Sequence, residues 1–216
     1  MTEELILVDA RNRAIGRAEK QHVHRAGLRH RAFSIFLVDH QGRLLLQQRS
    51  RAKYHSAGLW ANSCCGHPRP GELTRQAARR RLREELGAAA TLRYGFRAHY
   101  RTALPNGLTE NEIVYVFFGL VPLVLTPNPR EVAALGRMSL PALRADIARR
   151  PRRYTYWIRY YLKNHFDAIR QALDQARGRE IPPDKPPEPS GESPPARPSV
   201  SRSGAPVSAI LLKPAP

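Results

Sequence analysis

An α/β sandwich, with helices packed on a mixed sheet, is the fold class this sequence predicts, and three observations carry it. Short apolar runs bounded by turn residues recur through the first two-thirds of the chain, where strands are expected. Between them, residues 74–86 switch to helical spacing, and aromatic-rich helical text follows from residue 154. Strands and helices in this irregular order do not repeat the strict alternation of a doubly wound sheet.

Taken in order, residues 5–8 read as a strand and 9–13 as a turn. Residues 32–38 and 43–48 are two apolar runs joined by Asp39-His40-Gln41-Gly42, a hairpin signal. In 74–86, Ala77, Ala78, Leu82 and Leu86 recur near helical spacing, and Gly87 supplies a left-handed stop. Strands are expected at 98–102 and 112–121, around a Pro105-Asn106-Gly107 turn. A short helix is expected at 141–149 and one longer helix over 154–175. This makes one domain over 1–175. Residues 176–216 are dense in Pro, Ser and Gly and carry too little apolar surface to offset chain entropy, so a disordered tail is expected.

The chain has 216 residues, with 36 Lys and Arg against 18 Asp and Glu, a net charge of +18. Such a balance suits nucleic acid. The arginines are scattered, however, and no nucleic-acid-binding signature is present, so a small anionic ligand is the better match and no nucleic-acid partner is expected. Two cysteines exclude a disulfide-rich scaffold, and both are expected as free thiols. The opening residues carry acid rather than a basic leader, and the apolar stretch 113–125 is interrupted by Gly119 and Pro122. A cytoplasmic protein without membrane contact, monomeric or weakly dimeric, is expected.

The residues able to carry chemistry fall in three stretches. His24 and His30 flank a short loop before the strand at 32–38, and His67 sits in the loop Asn62-Ser63-Cys64-Cys65-Gly66-His67-Pro68. Glu110 and Glu112 are two apart at the start of a strand and so face one side together. If the stretches meet, these five side chains form a His3Glu2 set suited to zinc, manganese or magnesium. His22, His40, His55, His99 and His165 are read as ordinary surface or core imidazoles.

The spacing Gly66-x5-Glu72-x7-Arg80-Arg81-Leu82-Arg83-Glu84-Glu85-Leu86-Gly87 resembles the Nudix box, a loop–helix–loop that holds metal-bound diphosphates. The resemblance implies a Nudix-type α/β/α sandwich. One position departs from the pattern: Arg81 stands where that family has a glutamate. This weakens the carboxylate cluster used for hydrolysis and adds a cation able to grip a diphosphate. Arg81 and Glu85, four apart on one helix face, would clamp phosphate and hold Mg2+ respectively.

With His30-Arg31-Ala32-Phe33-Ser34, Gly58-Leu59-Trp60, the cysteine loop and Glu110-Asn111-Glu112, the sequence resembles the type I isopentenyl-diphosphate isomerases over residues 5–173. That resemblance implies conversion of isopentenyl to dimethylallyl diphosphate in isoprenoid biosynthesis. It further implies Cys65 and Glu112 as the proton-transfer pair on opposite faces of the alkene, Tyr100 assisting the glutamate, and Trp157 as a π wall for the cation. Lys20, Arg49, Lys53 and Arg81 match the basic clamp, with Mg2+ bridging the diphosphate to Glu85 and a divalent ion (Mn2+, Zn2+ or Mg2+) on His24, His30, His67, Glu110 and Glu112. Cys64 is left a packing role. Ala57 stands where many relatives have Pro, which relaxes the loop before Gly58. A hydrolase acting on nucleoside or other diphosphates is the competing reading, and Arg81 argues against it.

Overall fold

The computed structural model describes residues 3–177. The expected tail lies outside the described residues from 178 onward. Nine strands form one mixed sheet: β1 (Glu4–Val8), β2 (Ala14–Glu19), β3 (His30–Val38), β4 (Arg43–Arg49), β5 (Trp60–Ala61), β6 (Cys64–Gly66), β7 (Arg93–Ala103), β8 (Thr109–Leu120) and β9 (Val132–Ser139). Five α-helices accompany them: α1 (Lys20–Ala26), α2 (Thr74–Leu86), α3 (Leu140–Arg149), α4 (Tyr156–Asn164) and α5 (Phe166–Arg177).

Strand β3 is the organising element. It pairs in parallel with β8 along its whole length, from His30 opposite Glu112 to Val38 opposite Leu120. On its other side it meets β1, β6 and β4 in succession, all antiparallel. Helices cover both faces of the sheet at this central strand, which accordingly reads as a near-continuous apolar run. Its side chains alternate between two cores. Ala32, Phe36 and Val38 join Val114, Val116, Trp157, Ile158 and Tyr161 beneath α4 and α5. Phe33, Ile35 and Leu37 join Leu82, Leu86, Tyr115 and Phe117 beneath α2. The expected helix–sheet–helix layering follows directly from this alternation.

Helix α2 ends as its sequence requires. Gly87 adopts φ +60°, and its N–H donates to the carbonyls of Arg83 and Leu82. A Cβ at this position would overlap Thr126, whose N–H donates to the Leu86 carbonyl at 2.8 Å. Gly87→Ala is therefore expected to destabilise the domain by at least about 2 kcal/mol, combining the left-handed penalty with the overlap. Urea unfolding monitored by circular dichroism checks this.

Several elements depart from expectation. The single helix over 154–175 is two helices, broken at His165 (φ −134°), with Tyr154 outside it and bridged to Trp60. The stretch before β3 is largely helical, so His24 lies on α1 instead of flanking a loop. The cysteine loop is partly strand, with Cys65 opposite Ser34. Strands β2 and β9 escape sequence patterning. AIGRAE is mostly exposed, and VAALGRMS lacks a clean alternation; each is a strand because β1 pairs with the first across five residues and β4 with the second across seven.

Candidate active site and metal centre

One cleft of about 320 Å³ opens where β3, β6 and β8 meet the start of α4 and the loop after β4. It gathers Cys65, His67, Tyr100, Glu110, Glu112 and Trp157 with Lys20, Arg49, Lys53, Arg81 and Glu85. Three distant stretches of sequence thus converge. Glu110 and Glu112 alternate onto one face of β8, and parallel pairing sets His30 beside Glu112. His24 arrives from α1, fully buried.

The five expected ligands form compact groups. His24, His30 and His67 each offer a nitrogen within 4.8 Å of the others, as do the ligand atoms of His30, Glu110 and Glu112. His24 Nδ1 contacts the Lys20 carbonyl at 2.7 Å and His30 Nδ1 the Leu28 carbonyl at 2.9 Å. A neutral ring that donates Nδ1–H to its carbonyl keeps Nε2 as a lone pair able to bind a metal, whereas a doubly protonated ring donates from Nε2 to the carboxylates. His30 Nε2 and Glu110 Oε2 are buried without a hydrogen-bond partner. A divalent cation bound between them would satisfy both atoms, and the His/Glu donor set suits one.

The two carboxylates are driven apart electrostatically. For Glu112, burial works upward, but the imidazoles of His30 and His67 (His67 Nε2 2.9 Å from Oε1) outweigh it and hold the carboxyl well below its ordinary range. Glu110 is raised by burial and by the charge of Glu112, with His24 (3.3 Å away) only partly offsetting. Tyr100, directly opposite Glu112 on β7, donates its hydroxyl to Glu112 Oε2.

Cys65 lies on β6, across β3 from Glu112. Burial pushes its thiol up to about 12, partly opposed by hydrogen bonds with Ser34 and Asn62 at 3.3 Å. It is therefore a protonated thiol at neutral pH. Cys64, with its Sγ turned into the core beneath α2, has the packing role expected of it, and both thiols are free. The Trp157 ring has the Arg49 guanidinium 5.3 Å from its centre and the His55 ring edge-on to it at 6.0 Å.

The four expected clamp cations converge, and three of them are already paired with carboxylates, while Arg49 donates to the His55 carbonyl at 3.2 Å. Lys20 contacts Glu3 at 2.9 Å, Lys53 contacts Glu131, and Arg81 contacts Glu84, Glu85 and Glu131. Glu85 also accepts from Gln47 Nε2 at 3.0 Å. Glu72, in the matched box, forms a two-pronged pair with Arg80 and so braces the loop instead of entering the cleft.

Sequence reasoning missed His55 and Glu131. His55 is not an ordinary imidazole. It lines the cleft with its Nε2 3.3 Å from Glu110 Oε1, leaving Oε2 turned toward His24 and His30. Nothing in its local spacing indicates this, because the contact spans more than fifty residues of chain. A histidine holding the outer oxygen orients the carboxylate. His55→Ala is expected to weaken Mn2+ binding about tenfold, with His55→Gln restoring most of it, as read by electron paramagnetic resonance titration.

Comparison with known proteins agrees with this geometry. A NUDIX domain model matches residues 28–158. The chain is 49% identical to the isopentenyl-diphosphate Delta-isomerase 1 of Aromatoleum aromaticum over 73% of this chain and 89% of that one. It is 48% identical to the isopentenyl-diphosphate Delta-isomerase of Serratia proteamaculans over 76% and 92%. Its fold resembles a Deinococcus radiodurans crystal structure (TM-score 0.57, 23% identity, 68% of this chain and 90% of that one). It also resembles the MutT protein of Methanosarcina mazei (TM-score 0.51, 17% identity, 70% and 96%). With its domain matched and its relatives covered nearly end to end, the chain belongs to the Nudix family and, within it, to the isopentenyl-diphosphate Delta-isomerases.

Proposed function

We propose that this protein interconverts isopentenyl and dimethylallyl diphosphate, and that Cys65 and Glu112 carry the proton transfers. The observation that carries the reading is one cleft bearing a protonated thiol and an ionised carboxylate on strands that flank β3 from opposite sides. Isomerisation moves a double bond by one position with no net oxidation. One proton is added to a terminal alkene carbon, a tertiary cation forms, and a different proton leaves the carbon across the allylic system. A thiol that keeps its proton at neutral pH suits the first transfer, and a carboxylate held ionised by imidazoles suits the second. The Tyr100 hydroxyl orients Glu112 through Oε2. The Trp157 ring face suits a developing cation.

His24, His30, His67, Glu110 and Glu112 would hold one divalent ion, and Glu85 a Mg2+ shared with the diphosphate. A bound ion there supplies charge that sets the proton affinity of the carboxylates and anchors the anionic end of the ligand. Lys20, Arg49, Lys53 and Arg81 would hold the diphosphate and so fix the register of the reacting carbons. Among the described residues no helix is long and apolar enough to cross a membrane.

The direct test incubates purified protein with Mg2+ and isopentenyl diphosphate and follows the product by mass spectrometry after acid hydrolysis, since the dimethylallyl ester is acid-labile. An acid-released five-carbon alcohol, with no phosphate set free before the acid step, is expected. Release of phosphate or a monophosphate instead would favour the hydrolase.

A further inference from the structure

Glu131 bridges two cations of the diphosphate end with a single oxygen. Lys53 Nζ pairs with Glu131 Oε2, and Arg81 Nη2 lies 3.2 Å from the same atom. Backbone bonds hold it there. Asn128 N–H donates to the Glu85 carbonyl, Glu131 N–H to the Asn128 carbonyl, and Ser50 N–H to the Glu131 carbonyl. The segment leaving β8 is thus tied to the end of α2 on one side and the end of β4 on the other. The side chain is only 22% exposed, against 18% for Lys53 and 20% for Arg81, so water screens the trio incompletely.

The charge of this end then follows. Lys20, Arg49, Lys53, Arg81 and Arg130 face Glu3, Glu85 and Glu131, a surplus of two positive charges. A diphosphate monoester carries roughly three negative charges at neutral pH. A metal-free diphosphate reaching Lys53 and Arg81 must set its oxygens against the Glu131 carboxylate, which already occupies those donors. A Mg2+ ion bound to the ligand would offset that repulsion.

We propose that Glu131 is a specificity-determining counter-ion that makes this site take a Mg2+-bound diphosphate in preference to a metal-free one. The inference rests on the isomerase reading only in assuming that a diphosphate occupies this end of the cleft.

Calorimetry with inorganic pyrophosphate tests it, using the protein as purified, dialysed into Mg2+-free buffer, with and without millimolar Mg2+. Wild type binds the Mg2+ form more tightly. In Glu131→Gln the metal-free affinity rises about tenfold and the preference for Mg2+ shrinks accordingly, because a like-charge contact has been removed. Glu131→Asp keeps the wild-type preference, and Glu131→Ser, the smaller neutral variant, repeats the glutamine result. Unchanged or weaker metal-free binding in a folded Glu131→Gln or Glu131→Ser protein overturns the proposal; weakening confined to the Mg2+ form makes Glu131 a ligand of the ion instead and equally overturns it. Turnover of isopentenyl diphosphate by wild type is measured separately. Its absence with the pyrophosphate results intact would sink the isomerase reading alone.

Discussion

Cys65→Ala and Glu112→Gln are each expected to lower kcat for isopentenyl diphosphate by about a thousandfold or more while leaving the protein folded. Proton transfer by a positioned side chain contributes 10²–10⁴-fold in general, and here the substrate alkene is unactivated, so the upper part of that range applies. Cys65→Ala leaves no exchangeable proton at the β6 position. Its neighbours Ser34 and Asn62 lose one partner each but keep others, Tyr161 and backbone carbonyls at 3.0–3.1 Å, so stability should change little. Glu112→Gln keeps shape but loses the ionised acceptor that His30 and His67 surround. The double variant should be barely worse than either single one, because the two groups act as a unit. Single-turnover assays with quantified product read this directly. A loss below tenfold in either variant would remove that residue from the chemistry. Calorimetry with pyrophosphate should show little change in Cys65→Ala, separating lost chemistry from lost binding.

Stripping the His/Glu centre is the second large effect. His30→Ala is expected to weaken binding of a divalent ion by more than about a hundredfold, since even partners outside the ligand set are worth 10–100-fold. The structure adds a stability consequence. Glu110 and Glu112 are 3% and 7% exposed and stand side by side, and Glu110 already has one oxygen without a partner. Without an ion, two buried carboxylates face each other with histidines as their main compensation. Chelation with EDTA should therefore lower the melting temperature, and re-addition of Mn2+ or Zn2+ should restore it; His30→Ala should melt low and respond weakly to either metal. An EDTA-treated wild type with an unchanged melting temperature would mean that no ion supports these carboxylates.

Much of this site was legible in the chain because its parts sit in short, distinctive strings. Asn62 through Pro68, Glu110-Asn111-Glu112 and the spacing from Gly66 to Gly87 each place chemistry-bearing residues at separations that local geometry makes meaningful. Glu110 and Glu112 share a strand face, and Arg81 and Glu85 share a helix face. Positions defined only by distant partners stayed hidden. His55 contacts Glu110, and Glu131 contacts Lys53 and Arg81, across gaps of fifty or more residues. The break at His165 was equally hidden, because periodicity records which side chains face a core and not where the backbone turns.

The positions of β1, β3, β4, β7 and β8 and the helical run with its glycine stop were legible from sequence alone, since each depends on interactions within a few residues. Tertiary structure alone decided that His24 belongs to a helix, that β2 and β9 are strands, and that Lys20, Lys53 and Arg81 already have carboxylate partners. Those outcomes depend on pairing and electrostatic contact between segments far apart along the chain, whose energies no local pattern of residues encodes.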